Sequence, residues 1–303
     1  MYECCPARVV ELDSLDVFYD HLETTTSLEN AVLQGLDLTS ERAEAALRSA
    51  STENACFLGC RLSDAAEAHI RETGGTVFPA FVGVPFDPYR GRLYTPDELM
   101  EGYERGAPST RTETVDAAIC SYFQERRENG RDAPVMDALA SRIHDHAIDD
   151  ALRALLHPDD ADDRRVVGVM GGHQLARDTE TYRAVAHIGW RLARRGFFVA
   201  TGGGPGAMEA ANLRASLAAY DRSAVDDAID TIAAAPHYEG AAYIDHALDV
   251  RNRYPDRTQS LAVPTWFYGH EPTNLFATHI AKYFVNSIPT VVGTACSPSP
   301  STA

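Results

Sequence analysis

Short apolar runs alternate with helical spacings along most of this chain. In the first hundred residues RVVELD (from Arg8), ACFLGCRL (from Ala55) and TVFPAFVGV (from Thr76) read as strands. AEAALRSA (from Ala43) and DAAEAHIRETGG (from Asp64) place apolar residues at three- and four-residue spacing, and Gly74–Gly75 stops the second. A Pro/Gly-rich loop follows, and Thr95–Pro96–Asp97–Glu98 opens a helix with proline and acids in its first turn. From Thr112 to about Leu156 the spacing is mostly helical, and HPDDADDRR (157–165) reads as a charged linker.

A second alternation begins at Val166. VVGVMGGHQ is an apolar strand ending in Gly171–Gly172, and DTETYRAVAHIGWRLARRG is a helix with Asp178 as its expected N-cap and Gly196 as its stop. FFVAT is a strand, TGGGPG a turn and AMEAANLRASLAAY a helix. Residues 222 to about 258 read as inserted helices, SLAVPTWFYG as a third strand and NLFATHIAKYFVNSI as a third helix. Buried-type strands between helices predict an α/β fold with a doubly wound parallel sheet, preceded by a smaller α/β and helical domain. The expected organisation is 1–111, an N-terminal α/β domain; 112–164, a helical segment and linker; 165–288, the second α/β domain; and 289–303, a disordered or aberrant tail. No fixed-period repeat is read in the sequence.

Composition narrows the partners. The 303 residues are 45% hydrophobic and 23% charged, which suits a packed core, and the formal charge is −17. That charge argues against nucleic acid, which needs basic stripes, but not against a small anion held locally by backbone N–H groups. No apolar run approaches the roughly 20 residues that span a bilayer, and MYECCPARVVELDS has no signal-peptide pattern, so a cytoplasmic protein without a membrane partner is expected. The six cysteines, at 4, 5, 56, 60, 120 and 296, read as idle or buried thiols rather than metal ligands. His144, His146 and the acids near them read as a solvated helix face. No metal or cofactor is expected.

The candidate chemistry lies in two glycine turns at the carboxyl ends of neighbouring strands. Such a turn into a helix exposes N–H groups and the positive end of the helix dipole, and glycine permits close approach of an oxyanion. Gly171, Gly172 and His173 form the first. Thr201, Gly202, Gly203, Gly204, Pro205, Gly206, Ala207, Met208 and Glu209 form the second. Glu271, just past the third strand, is a candidate ribose-hydroxyl partner, although Glu before Pro is ordinary turn chemistry. The glycine spacing fits neither a dinucleotide fingerprint nor a Walker loop, HEPTN (270–274) lacks the second histidine of a zincin, and there is no G-x-S-x-G elbow.

VMGGHQ together with TGGGPGAMEAANLRA resembles the LOG family of Rossmann-like nucleotide-binding proteins, once labelled lysine decarboxylases. Gly171, Gly172 and His173, and a domain ahead of the fold, are similar to the longer bacterial nucleotide 5′-monophosphate nucleosidases. The resemblance covers 166–212 well and runs loosely through VPTWFYGHEPTNLFATHIAKYF. It implies a Rossmann-like domain over 165–288 and a homodimer. It also implies binding of a nucleoside 5′-monophosphate, with hydrolysis of the N-glycosidic bond in full-length relatives. The family's second motif, P-G-G-x-G-T-x-x-E, and its Arg-Lys pair are not found, and Lys282 is the one basic residue of the helix expected before that motif. The catalytic residues are therefore unassigned, the chain reads as a truncated or frameshifted copy, and non-catalytic nucleotide binding is the favoured alternative. A sugar- or amino-acid-binding protein is a third reading.

Overall fold

The computed structural model describes residues 10–128, 134–158, 162–269 and 271–285. The tail 289–303, Cys4, Cys5, Cys296 and His270 lie outside them. The chain divides into two compact units. One holds the residues up to Gly91 with Met136–Ala147, and the other holds Arg92–Val135 with everything from Ile148.

In the first unit four strands, β1 (Val10–Leu12), β2 (Ala31–Gln34), β3 (Cys56–Leu58) and β4 (Thr76–Phe78), form a parallel sheet in sequence order. Helices α1 (Leu15–Thr24), α2 (Glu41–Ser49) and α3 (Asp64–Glu72) connect them. Ser14, Ser40 and Ser63 cap these helices in the same way, each side chain accepting from the N–H three residues on. The inward strand positions Leu12, Leu33, Phe57 and Val77 are buried in one core.

This unit contains an internal repeat, which corrects the expectation of none. SLENAVLQGLDL (from Ser27) and STENACFLGCRL (from Ser51) share Ser, Glu, Asn, Ala, Gly and Leu at matching positions. The structure stacks them in register: Ser27 bridges Ser51, Asp37 bridges Arg61, and Val32 pairs with Cys56. Asn30 and Asn54 both have φ of 59°, and Gly35 and Gly59 both have φ of 63°. Each βα layer thus repeats the same turn conformations, as in a solenoid. The strand residues between these markers have diverged, which hid the period.

His144 also departs from its expected solvated position. It is buried, packs edge-on against Phe86 and lies 3.1 Å from Asp145 Oδ1. Cys60 is buried as well, and burial pushes its thiol up to about 11. Among the described residues no group of three or more His, Cys, Asp or Glu could hold a metal ion.

The second unit carries another parallel sheet in sequence order, β5 (Val166–Val169), β6 (Phe198–Thr201), β7 (Leu261–Ala262) and β8 (His279–Ile280). Helices α7 (Glu180–Ala193) and α8 (Ala207–Ser216) follow β5 and β6 in a Rossmann-like α/β arrangement, and α9 (Arg222–Ala233) and α10 (Tyr243–Arg253) form the insertion before β7. Helices α4 (Pro96–Leu99) and α5 (Val115–Glu128) belong to this unit, while α6 (Val135–Leu156) divides between the two. Thr179, not Asp178, caps α7, its Oγ1 accepting from Tyr182 N at 3.1 Å. No helix among the described residues is long and apolar enough to cross a membrane.

The third helix expected over NLFATHIAKYFVNSI is not formed in its described part, where β8 lies instead. Leu275, Phe276, Ala277, Ile280, Ala281, Tyr283 and Phe284 are all buried. Burial on every side, rather than along one stripe, suits an extended segment covered on both faces. β8 pairs with β7, and Ile280 also exchanges backbone hydrogen bonds with Tyr94.

Candidate functional site

β5 and β6 are paired in register and end side by side, so their glycine turns emerge at one edge of the second sheet. The two turns interlock. The carbonyl of Gly172 accepts from Ala207 N at 3.2 Å and from Leu175 N at 3.1 Å, which ties the first turn to the start of α8. Gly172 has φ of 69°, and a Cβ there would stand 2.7 Å from Ala207 Cβ. A Cβ on Gly204 would stand 2.7 Å from both Glu271 Oε2 and Met208 Cε. The arch of residues 202–206 leads straight into α8 with no side-chain cap. Among the described residues, the N–H groups of Gly204, Met208 and Glu209 make no hydrogen bond. These donors lie at the positive end of α8, an arrangement that favours an anion.

A cleft of about 220 Å³ opens against the arch. Met170, Gly171, Gly202, Gly203 and Met208 line it, and Thr265, Tyr268, Glu271, Thr273 and Lys282 bring its polar side chains. Lys282 is buried and donates to Asp116 Oδ1 at 2.6 Å. The same carboxylate accepts from Trp266 Nε1 at 2.8 Å and, on its other oxygen, from Thr273 Oγ1 at 2.7 Å. The ammonium also lies 5.1 Å from the Trp266 ring centroid. The cation at the cleft is thus positioned by α5 and by the segments that follow β7.

Beneath the arch, Thr201 Oγ1 donates to Asn212 Oδ1 at 2.6 Å and accepts from Gly203 N at 3.1 Å. Asn212 Nδ2 donates to Ser260 Oγ at 3.1 Å and Leu261 O at 3.2 Å, and Asn274 Nδ2 donates to Asn212 Oδ1 at 3.0 Å. This buried amide joins β6, α8 and β7 and holds the arch in place.

The predicted residues are therefore sorted into four places. Gly171, Gly202, Gly203, Met208 and Glu271 line the cleft. Gly172, Gly204 and Ala207 sit at the close approaches just described. Thr201 supports the arch from below. His173, Pro205 and Gly206 line a second, shallow recess with Gln174, His237, Tyr238 and Glu239.

Glu209 lines neither the cleft nor the recess. Its carboxylate is buried and accepts from Arg177 Nε at 2.9 Å, from a second Arg177 nitrogen and from Tyr182 Oη at 2.8 Å. Arg177 also donates to Tyr243 O at 2.9 Å and lies over that tyrosine's ring. Burial alone would lower the pKa of the guanidinium, but Glu209 reverses this and holds it above the ordinary value. Burial and the same carboxylate push the Tyr182 hydroxyl well up. The pair fastens α8 to the loop before α7.

Sequence reasoning singled out neither Asp116 nor Asn212, and it read Lys282 only as a lone basic residue in a helix. The buried polar residue at the end of AMEAAN was a usable signal for Asn212. Asp116, 166 residues before its partner Lys282, carried none.

No curated protein matches the chain at a significant level. The β5–α7–β6–α8 segment, with both glycine turns, lies in residues 164–219, which match the model of the SLOG cluster4 family, a LOG-related grouping.

Proposed function

We infer that the chain binds a nucleoside 5′-monophosphate, with the phosphate on the arch 202–206 and the ribose toward Glu271. The observation that carries this reading is the unengaged N–H of Met208, at the start of α8, on a residue that lines the same cleft as Lys282. In a chain of net charge −17 an anion needs local N–H donors of this kind. The donors match phosphate oxygens, and a carboxylate matches ribose hydroxyls as an acceptor. Calorimetric titration with AMP, GMP, CMP and UMP tests the reading. Saturable binding supports it, and heat signals no larger than buffer dilution for all four count against it.

A second reading, hydrolysis of the N-glycosidic bond, draws on Glu271. This exposed carboxylate stands at the cleft against Gly204. It could stabilise positive charge at the anomeric carbon while water adds there, the C–N bond breaks and the base leaves with a proton. Free base released from a nucleotide by the wild type, and lost in Glu271→Gln, supports turnover. Binding without release leaves the chain a nucleotide binder.

A further inference from the structure

The insertion between α8 and β7 does more than fill sequence. After α9 the chain returns to the arch, and His237, Tyr238 and Glu239 face His173, Gln174 and Pro205 across a shallow recess of about 40 Å³. The cleft takes Gly202 and Gly203 from the arch, and the recess takes Pro205 and Gly206. Two residues separate Gly203 from Gly206, so these lining residues of the two sites are at most about 10 Å apart along the chain. That is a separation one mononucleotide can bridge.

The recess has the chemistry to read a base edge. Tyr238 is half-buried and supplies an aromatic face, and Arg111 donates to its carbonyl at 3.2 Å, which anchors the loop. Interaction with the adjacent Glu239 carboxylate raises the pKa of the Tyr238 hydroxyl. Glu239 is exposed, so its remaining acceptor sites face solvent. An ionised carboxylate accepts hydrogen bonds and donates none. It therefore favours a base edge that presents adjacent donors and disfavours one that presents acceptors. Among the common bases, guanine offers such a pair, its ring N1–H and exocyclic amino group.

We propose that this recess is the base subsite of the nucleotide site, with Tyr238 stacking on the base and Glu239 selecting guanine. The proposal rests on nucleotide binding at the arch. It is tested by calorimetry on the full chain with ribose 5-phosphate, AMP, GMP, CMP and UMP, using wild type, Glu239→Gln and Tyr238→Ala. The expected result is that GMP binds at least tenfold tighter than the other nucleotides. Glu239→Gln removes that preference and leaves ribose 5-phosphate affinity unchanged, while Tyr238→Ala weakens all four nucleotides and spares ribose 5-phosphate. Equal affinity for the four nucleotides, or a GMP preference that survives Glu239→Gln, overturns the base subsite alone. Absence of binding by every nucleotide and by ribose 5-phosphate overturns the subsite together with the nucleotide reading beneath it.

Discussion

The carbonyl oxygen of Gly172 accepts a hydrogen bond from Ala207 N at 3.2 Å, so the turn after one strand fixes the start of the helix after the next. Gly172→Ala places a methyl group against Ala207 Cβ and forces a side chain into the left-handed region. The expected cost is about 1–3 kcal/mol of folding stability, measured by urea denaturation. Weaker nucleotide binding should accompany it, because the N–H donors of α8 shift with the turn. Unchanged stability and affinity would show that the interlock contributes nothing.

Glu209 and Arg177 make a separate prediction, since neither lines the cleft. Glu209→Ala leaves the guanidinium buried without its carboxylate and should cost about 3–5 kcal/mol. Nucleotide affinity, measured under conditions where the variant is folded, should be unaltered. A variant of normal stability that no longer binds would instead place Glu209 at the ligand.

Lys282 requires a double substitution, because removing it alone strands the buried Asp116 carboxylate. Lys282→Met should be strongly destabilising, and adding Asp116→Asn should recover much of the loss. In the double variant nucleotide affinity should still fall by roughly 10- to 100-fold, the worth of one charge-assisted hydrogen bond. Wild-type affinity in the double variant would remove Lys282 from the phosphate site.

Acid should weaken the fold partly through buried and half-buried histidines. Burial lowers the His144 pKa, against an opposing pull from Asp145, and burial also lowers His187 and His279. A histidine whose folded pKa lies below its unfolded value leaves the unfolded chain binding more protons between the two. Its contribution is therefore complete above the unfolded value of about 6.5 and is lost as pH falls toward the folded value. His144→Asn should reduce the decline in urea midpoint between about pH 7 and about pH 5. An identical decline in the variant would mean that His144 titrates as freely in the fold as out of it.

Legibility in the sequence followed the type of physical constraint. The glycine turns were visible because only glycine allows positive φ and close backbone approach, and the flanking strands were visible as apolar runs. The segment containing β8 and Lys282 was not, because its three- and four-residue apolar spacing fits a helix as well as an extended segment buried on both faces. The repeat of the first unit lay in Asn30 and Asn54, Gly35 and Gly59, and paired serine caps. These are turn markers that hydrophobic spacing does not weigh. Glu209 shows the opposite limit. A carboxylate in the first turn of a helix suits the dipole and a ligand equally, and only the position of Arg177 decides between them.

The central claim is that the arch recognises a 5′-phosphate, and the most direct measurement is a paired calorimetric titration of the full chain with GMP and guanosine. The two ligands share base and ribose and differ in the phosphate alone. The account predicts saturable GMP binding that weakens as salt rises, with guanosine at least tenfold weaker. Equal affinities for the two, or tighter binding of guanosine, would contradict it.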